Sequence, residues 1–142
     1  MLEPLTHSIS ELHGDHLIWW QELRSWQEEL KSFERRLAAV ARPGADPDVL
    51  ARLEQYQNRL IREQEVIDES QHLIKTHEDS LARKTEELPH VAAEAGYRDH
   101  SILRERMTVA EELHKELRDE LRDWLAQRFR MDVDQMGGPP EN

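Results

Sequence analysis

The sequence predicts an all-α fold, an antiparallel up-down-up bundle of three long helices with coiled-coil-like seams. Charged residues make up 35% of the 142 residues and aromatic residues 6%, and glycine and proline are scarce (5 and 6). Such a composition is typical of long amphipathic helices rather than of sheets. Apolar residues recur at alternating steps of three and four, which places them on one face of a helix. Two proline-bearing breaks then divide the chain into three helical segments.

The first helix is predicted over about residues 8–41 and follows a short N-terminal arm, residues 1–7. Ser8 and Glu11 form an S-x-x-E capping box at its start. The segment RPGADPD ends it, because Pro43 and Gly44 interrupt a helix. Its core-facing seam consists of residues at alternating steps of three and four: Leu12, His16, Trp19, Leu23, Trp26, Leu30, Phe33, Leu37 and Val40.

The second helix is predicted over 47–87, with Asp46 as its cap and Pro47 at its first position, where the missing N–H costs nothing. It stops before Pro89. Its first seam repeats strictly every seven residues: Leu53, Leu60, Ile67, Ile74, Leu81 and Leu88. The second seam is polar, and in each heptad either of two neighbouring residues can be the one that faces the core: Tyr56 or Gln57, Glu63 or Gln64, Ser70 or Gln71, His77 or Glu78. Polar residues at such positions set register and oligomeric state.

The third helix is predicted over 99–130, capped by Asp99 after a loop formed by PHVAAEAGYRD. The remainder, residues 131–142, is polar and rich in glycine and proline, so a disordered tail is expected there. The seam of this helix follows the same three-four spacing: Leu103, Met107, Ala110, His114, Leu117, Leu121 and Trp124.

The connections favour a bundle over one continuous coiled coil, because proline interrupts the chain at 43–47 and at 89. The short first connection favours an antiparallel hairpin. A variant in which the third helix packs on a second subunit stays open. Long helices leave grooves that dimerisation would cover, so a homo-oligomer is expected.

The acidic composition restricts the classes of partner. A net charge of −11 repels nucleic acid and anionic lipid headgroups. The absence of cysteine excludes disulfides and thiolate metal sites and fits a cytoplasmic protein. The start MLEPLTHSIS lacks the features of a secretory signal, and no apolar run is long enough for a membrane span. We therefore expect a soluble, cytoplasmic protein that binds neither nucleic acid nor membranes.

Histidines in the seams suggest a metal site. With the helices folded back about the two predicted connections, His16, His77 and His114 reach one level of the core, with Glu111 and His13 nearby. Imidazoles and carboxylates that converge from facing helices can bind zinc, iron or copper. Two other interpretations stay open: a buried layer of neutral, hydrogen-bonded histidines, and a pH-sensitive cluster.

The segment LIWW, residues 17–20, covers the whole circumference of a helix. Trp19 faces the core, Trp20 lies on a flank, and Leu17 and Ile18 point outward among polar neighbours. Leu17, Ile18 and Trp20 are therefore candidate interface residues, unless a wider bundle covers this face.

The sequence contains no phosphate-binding loop, nucleophile elbow or H-E-x-x-H motif. The predicted function is a non-enzymatic helical module that binds a protein partner or itself. The alternative is a metal-binding bundle used in storage, sensing or redox chemistry.

Overall fold

The fold is a bundle of three long helices. The structure, a computed structural model, describes residues 9–87 and 89–136, with side chains described for 10–83 and 98–131. Three helices account for most of these residues: α1 (Ile9–Val40), α2 (Pro47–Glu87) and α3 (Pro89–Met136). Every pair of helices is in contact, and the described ranges contain no strand. The predicted all-α bundle of three helices is confirmed, while the arm 1–7 and the capping residue Ser8 lie outside the described residues.

The seam of α1 is buried as its spacing predicts. The eight predicted positions from Leu12 to Leu37 are all buried, and Val40 is half-buried. The turn to α2 contains Gly44 with a φ of 84°, a left-handed conformation that glycine adopts without the steric cost of a Cβ. Asp46 then caps α2, because its Oδ1 accepts a hydrogen bond of 2.8 Å from the backbone N–H of Asp48. The predicted cap and the position of Pro47 at the first residue of α2 are confirmed.

The structure resolves the choices in the second seam of α2. The residues that face the core at steps of seven are Tyr56, Glu63, Ser70 and His77, interleaved with the buried Leu53, Leu60, Ile67, Ile74 and Leu81. One face of α2 therefore carries polar side chains into the core at three successive heptads. These side chains need partners from the other two helices, since a buried unsatisfied polar group costs about 1–3 kcal/mol.

The predicted bounds of the third helix are wrong at both ends. α3 begins at Pro89 rather than at Asp99, and it extends to Met136 rather than ending near Arg130. Proline suits the first position of a helix, and the alanine-rich segment after it contains a single glycine, whose cost of about 1 kcal/mol a long helix tolerates. The predicted loop at 89–98 is therefore helical, and so are residues 131–136 of the predicted disordered tail. Residues 137–142 lie outside the described part of the chain.

The earlier start of α3 changes which residues share a level of the bundle. His77 of α2 lies beside His100 of α3 and not beside Glu111, which is about three helical turns further along. His16 of α1 also lies beside His77, with ring centroids 4.9 Å apart. The functional site follows from this register.

Candidate metal centre

Three buried histidines, one from each helix, meet near the end of the bundle where α2 leads into α3. The exposed fractions of His16, His77 and His100 are 2%, 7% and 1%. One ring nitrogen of each lies within 4.8 Å of those of the other two. We call these three residues the histidine triad. Each occupies a seam position of its own helix, so the packing of the bundle itself brings them together.

Carboxylates hold the outer nitrogens of two triad histidines. His16 Nδ1 lies 2.6 Å from Oε1 of Glu78, and His100 Nε2 lies 2.9 Å from Oδ2 of Asp15. A carboxylate can only accept a hydrogen bond, so each of these nitrogens carries the hydrogen and donates it. The tautomers of both rings are thereby assigned from their partners.

The same carboxylates have further hydrogen-bond partners. Glu78 Oε1 also lies 2.7 Å from Nδ1 of the exposed His13, and Asp15 Oδ2 lies 3.1 Å from Nη2 of Arg104. Burial alone would raise the pKa of both carboxyl groups, but these hydrogen bonds and charges outweigh it and lower each pKa below its ordinary value. Both groups therefore remain carboxylates, which fixes the orientation of the two rings.

Two inner nitrogens of the triad lie at hydrogen-bond distance from each other. His16 Nε2 and His100 Nδ1 are 3.2 Å apart. When both rings are neutral, the hydrogens on their outer nitrogens leave a lone pair on each of these two atoms. His77 Nε2 is buried and has no hydrogen-bond partner among the described residues. In the neutral rings, two electron-pair donors therefore face each other beside the ring of His77, an arrangement that a cation would stabilise.

Burial favours neutral imidazoles at His77 and His100. Burial, followed by the nearby His16 and His100, lowers the pKa of His77 from 6.5 to about 4. Burial also lowers the pKa of His100, although the hydrogen bond to Asp15 opposes this effect. At neutral pH these rings are unprotonated, which is the form that binds metals.

The spacing of His16 and His100 fits two ligands of a small tetrahedral ion. Zinc binds imidazole nitrogens at about 2.0–2.1 Å, so two ligands of a tetrahedral site are about 3.3 Å apart. The observed 3.2 Å between His16 Nε2 and His100 Nδ1 matches this value. Trp19 stacks on His100 with ring centroids 4.8 Å apart and an interplanar angle of 24°, which limits rotation of that ring. Two of the three rings, His16 and His100, are thus held in fixed orientations by their neighbours.

The structure brings together only some of the predicted metal ligands. His16 and His77 belong to the triad, and His13 contacts it through Glu78. The prediction that His114 joins them is wrong, because His114 lies further along α3, between Glu29 and Glu63. Glu111 is exposed and is not part of the triad either.

Sequence reasoning missed His100, the third member of the triad. The assumed loop at 89–98 placed this residue at the frayed start of a helix, outside the seam. The signal was nevertheless present: His100, Leu103, Met107 and Ala110 continue the three-four spacing of α3. Extending the seam by one step toward the N-terminus of α3 would have found it.

His114 forms a second buried polar cluster. Its Nε2 lies 3.7 Å from Oε2 of Glu29 and its Nδ1 lies 3.6 Å from Oε1 of Glu63, distances too long for hydrogen bonds. Neither ring nitrogen has a hydrogen-bond partner among the described residues. Its ring stacks on Trp26 with centroids 4.9 Å apart and an interplanar angle of 18°. One polar side chain of α3 therefore connects α1 to α2 at this level.

The predicted interface residues occupy two different environments. Leu17 and Ile18 are 53% and 55% exposed, as their outward positions predict. Trp20 is half-buried and packs against the core, so most of its ring is already covered within the chain. An outer apolar patch therefore consists of Leu17 and Ile18.

Comparisons with family models, curated proteins and solved structures find no match to this chain. Within the described residues, none of the three helices carries an apolar stretch that could span a bilayer. The function must therefore be argued from the geometry of the site.

Proposed function

We propose that this protein is a metal-binding helical bundle whose site is the histidine triad, His16, His77 and His100. The observation that carries the proposal is the approach of His16 Nε2 to His100 Nδ1, 3.2 Å apart. In neutral rings whose outer nitrogens carry the hydrogens, each of these two atoms has a lone pair. Two neutral acceptors at this distance repel each other. A bound cation converts the repulsion into two coordination bonds and gives the orphaned Nε2 of His77 a partner.

The donor set suits zinc and the other metals that bind imidazole. Three imidazoles without thiolates suit zinc, copper, iron or nickel, whereas magnesium and calcium prefer oxygen ligands. The carboxylates of Glu78 and Asp15 accept hydrogen bonds from the far nitrogens of two ligand rings. Such outer carboxylates orient a ligand histidine and raise its basicity. The three protein nitrogens leave a fourth tetrahedral position for water or another small ligand.

Zinc titration of the untagged, metal-free protein tests the proposal. We expect one zinc ion per chain, and we expect the His100→Ala variant to lose it. His72→Ala is the matched control, because His72 is an exposed histidine of the same bundle. Circular dichroism shows whether each variant retains its helices. Wild-type protein that is folded and binds no zinc, or His100→Ala that binds as tightly as wild type, would overturn the proposal.

A second variant tests the site without removing a ligand. Glu78→Gln preserves the shape of the side chain but weakens its hydrogen bond to His16 Nδ1. Loss of such an outer partner lowers metal affinity by about 10–100-fold. Glu65→Gln, at an exposed position of α2, is the matched control and should bind zinc like wild type. Equal affinities in the two variants would contradict the assigned role of Glu78.

A helical module that binds a protein partner or itself is the second candidate function. It is favoured by the large apolar side chains that the bundle leaves exposed, among them Leu17 and Ile18. Sedimentation of the protein across a range of concentrations tests self-association. Dimers that Leu17→Ser/Ile18→Ser dissociates would support an interface at that patch, and a monomer at every concentration would exclude self-association.

A further inference from the structure

A second apolar seam follows the outer face of α3. Ile102, Val109 and Leu113 are 66%, 54% and 50% exposed, and they are separated by steps of seven and four. This is the spacing of a helix-packing seam, but it faces away from the core, which α3 reaches through Leu103 and Met107. Isolated exposed apolar residues are ordinary, whereas three at seam spacing form a surface that another helix can pack against.

This outer seam borders a groove between α2 and α3. Val66 of α2 is half-buried and lines the groove opposite Ile102, Val109 and Leu113. Arg106 also lines it, but its guanidinium is bound to Glu69 at 3.2 Å and donates to Ser70 Oγ. The floor of the groove is therefore apolar. Arg106, the one cationic side chain among the described residues that line the groove, is already paired with Glu69 of the same chain.

The α3 rim of the groove is acidic. Glu105 lines the groove, and Glu112 lies exposed one heptad further along the same helix. The net charge of the whole chain is −11. Charge complementarity therefore favours a partner with basic residues beside its apolar face. A second copy would place the same acidic rims near each other, and an anionic bilayer would be repelled.

We infer that this groove binds a basic amphipathic α-helix of another protein. The inference rests on the second candidate function and supplies its surface and its class of partner. It does not depend on metal binding. The partner helix would lay an apolar stripe along Ile102, Val109 and Leu113, with lysine or arginine residues facing Glu105 and Glu112.

A designed helical peptide serves as the probe. It has three heptads with leucine at both seam positions and lysine at the flanking positions, and its matched control carries glutamate at the flanks. Fluorescence anisotropy measures binding of each peptide to wild type, to Val109→Ser/Leu113→Ser and to Leu17→Ser/Ile18→Ser. The last variant removes an apolar pair on a different helix, α1, and controls for general loss of exposed apolar surface.

We expect the lysine peptide to bind wild type and Leu17→Ser/Ile18→Ser with equal affinity. It should bind Val109→Ser/Leu113→Ser at least about tenfold more weakly, which is the effect of losing one well-buried leucine. Glu105→Gln/Glu112→Gln should weaken binding and reduce its dependence on salt. Circular dichroism confirms that each variant is folded.

Four outcomes would overturn the inference. The lysine peptide could fail to bind wild type, or bind Val109→Ser/Leu113→Ser as tightly. Binding lost only in Leu17→Ser/Ile18→Ser would move the interface to α1, which removes this groove but leaves the second candidate function standing. Dimers of the protein alone that Val109→Ser/Leu113→Ser dissociates would make the occupant a second copy instead.

Discussion

Acid should destabilise the metal-free protein in a pH range set by His77. Its pKa in the folded protein is about 4, below the ordinary value of 6.5 that it regains on unfolding. The unfolded state therefore binds more protons between these values, so the stability is fully present above pH 6.5 and is lost as the pH falls toward 4. One pKa unit corresponds to about 1.4 kcal/mol, which gives a loss of about 2 kcal/mol by pH 5 and about 3 kcal/mol when His77 is fully protonated.

Urea unfolding at a series of pH values, with a chelator present, measures this loss. The lowered pKa values of Asp15 and Glu78 change the stability only below their ordinary values of 3.8 and 4.5. Burial and the nearby Glu111 raise the pKa of Glu22, so this group acts above pH 4.5 with the opposite sign. The difference between wild type and His77→Gln isolates the histidine. In His77→Gln we expect a shallower decline in the same range. His72→Gln, at an exposed position, should follow wild type. A wild-type free energy of unfolding that stays constant from pH 6.5 to about 5 would refute the burial argument.

Three further predictions concern metal, backbone and core. Zinc at about 100 times its dissociation constant should stabilise wild type by about 2.7 kcal/mol, measured as a raised melting temperature, and should not stabilise His100→Ala. Gly44→Ala should cost about 1 kcal/mol, because alanine is strained at a φ of 84°. Gly14→Ala should stabilise the protein by about 0.5–1 kcal/mol, because Gly14 lies within α1 and nothing is within 4 Å of the added Cβ. Urea unfolding of both variants measures these changes. His114→Ala should cost about 3 kcal/mol in the same assay, because it leaves a cavity beside Trp26 and removes the buried ring that packs between Glu29 and Glu63.

Each of these predictions has an outcome that contradicts it. Equal zinc stabilisation of wild type and His100→Ala would locate the metal elsewhere. A Gly44→Ala variant as stable as wild type would show that the turn does not require the left-handed conformation. If His114→Ala changed stability no more than His72→Ala, the second polar cluster would contribute nothing to the packing of the core.

The fold could be predicted from the sequence because the apolar spacing specifies which face of each helix is buried. The buried positions of α1 from Leu12 to Leu37, and those of α2 from Leu53 to Leu81, follow directly from steps of three, four and seven. The cap at Asp46 and the break at Gly44 followed from the backbone preferences of these residues.

The site could be predicted only in part, because a heptad pattern defines a face but not a level. The seam of α3 contains a residue at every seventh position: His100, Met107 and His114. Sliding α3 by two heptads along its neighbours therefore replaces His100 by His114 without changing which face is buried. The level depends on the connection between α2 and α3. The segment after Pro89 was interpreted as a loop on its glycine and proline content, but it is helical, and the error of about three turns in register followed from it.

Glu78 and Asp15 could not be assigned from spacing alone. Asp15 lies off the predicted seam of α1, and Glu78 was one of two alternatives for the last position of the second seam of α2. They acquire a role only because the register of the bundle places His16 and His100 beside them. Their function as hydrogen-bond acceptors for ring nitrogens is a property of the assembled bundle and of no single helix.

A crystal structure of the zinc-loaded, untagged protein, with anomalous diffraction data at the zinc edge, tests the proposed metal site most directly. We expect one anomalous peak per chain, bonded to His16 Nε2, His77 Nε2 and His100 Nδ1 at about 2.0–2.1 Å. Glu78 and Asp15 should accept hydrogen bonds from the far nitrogens of His16 and His100. A peak at surface carboxylates alone, or none in the core while the three rings keep the arrangement described above, would contradict it.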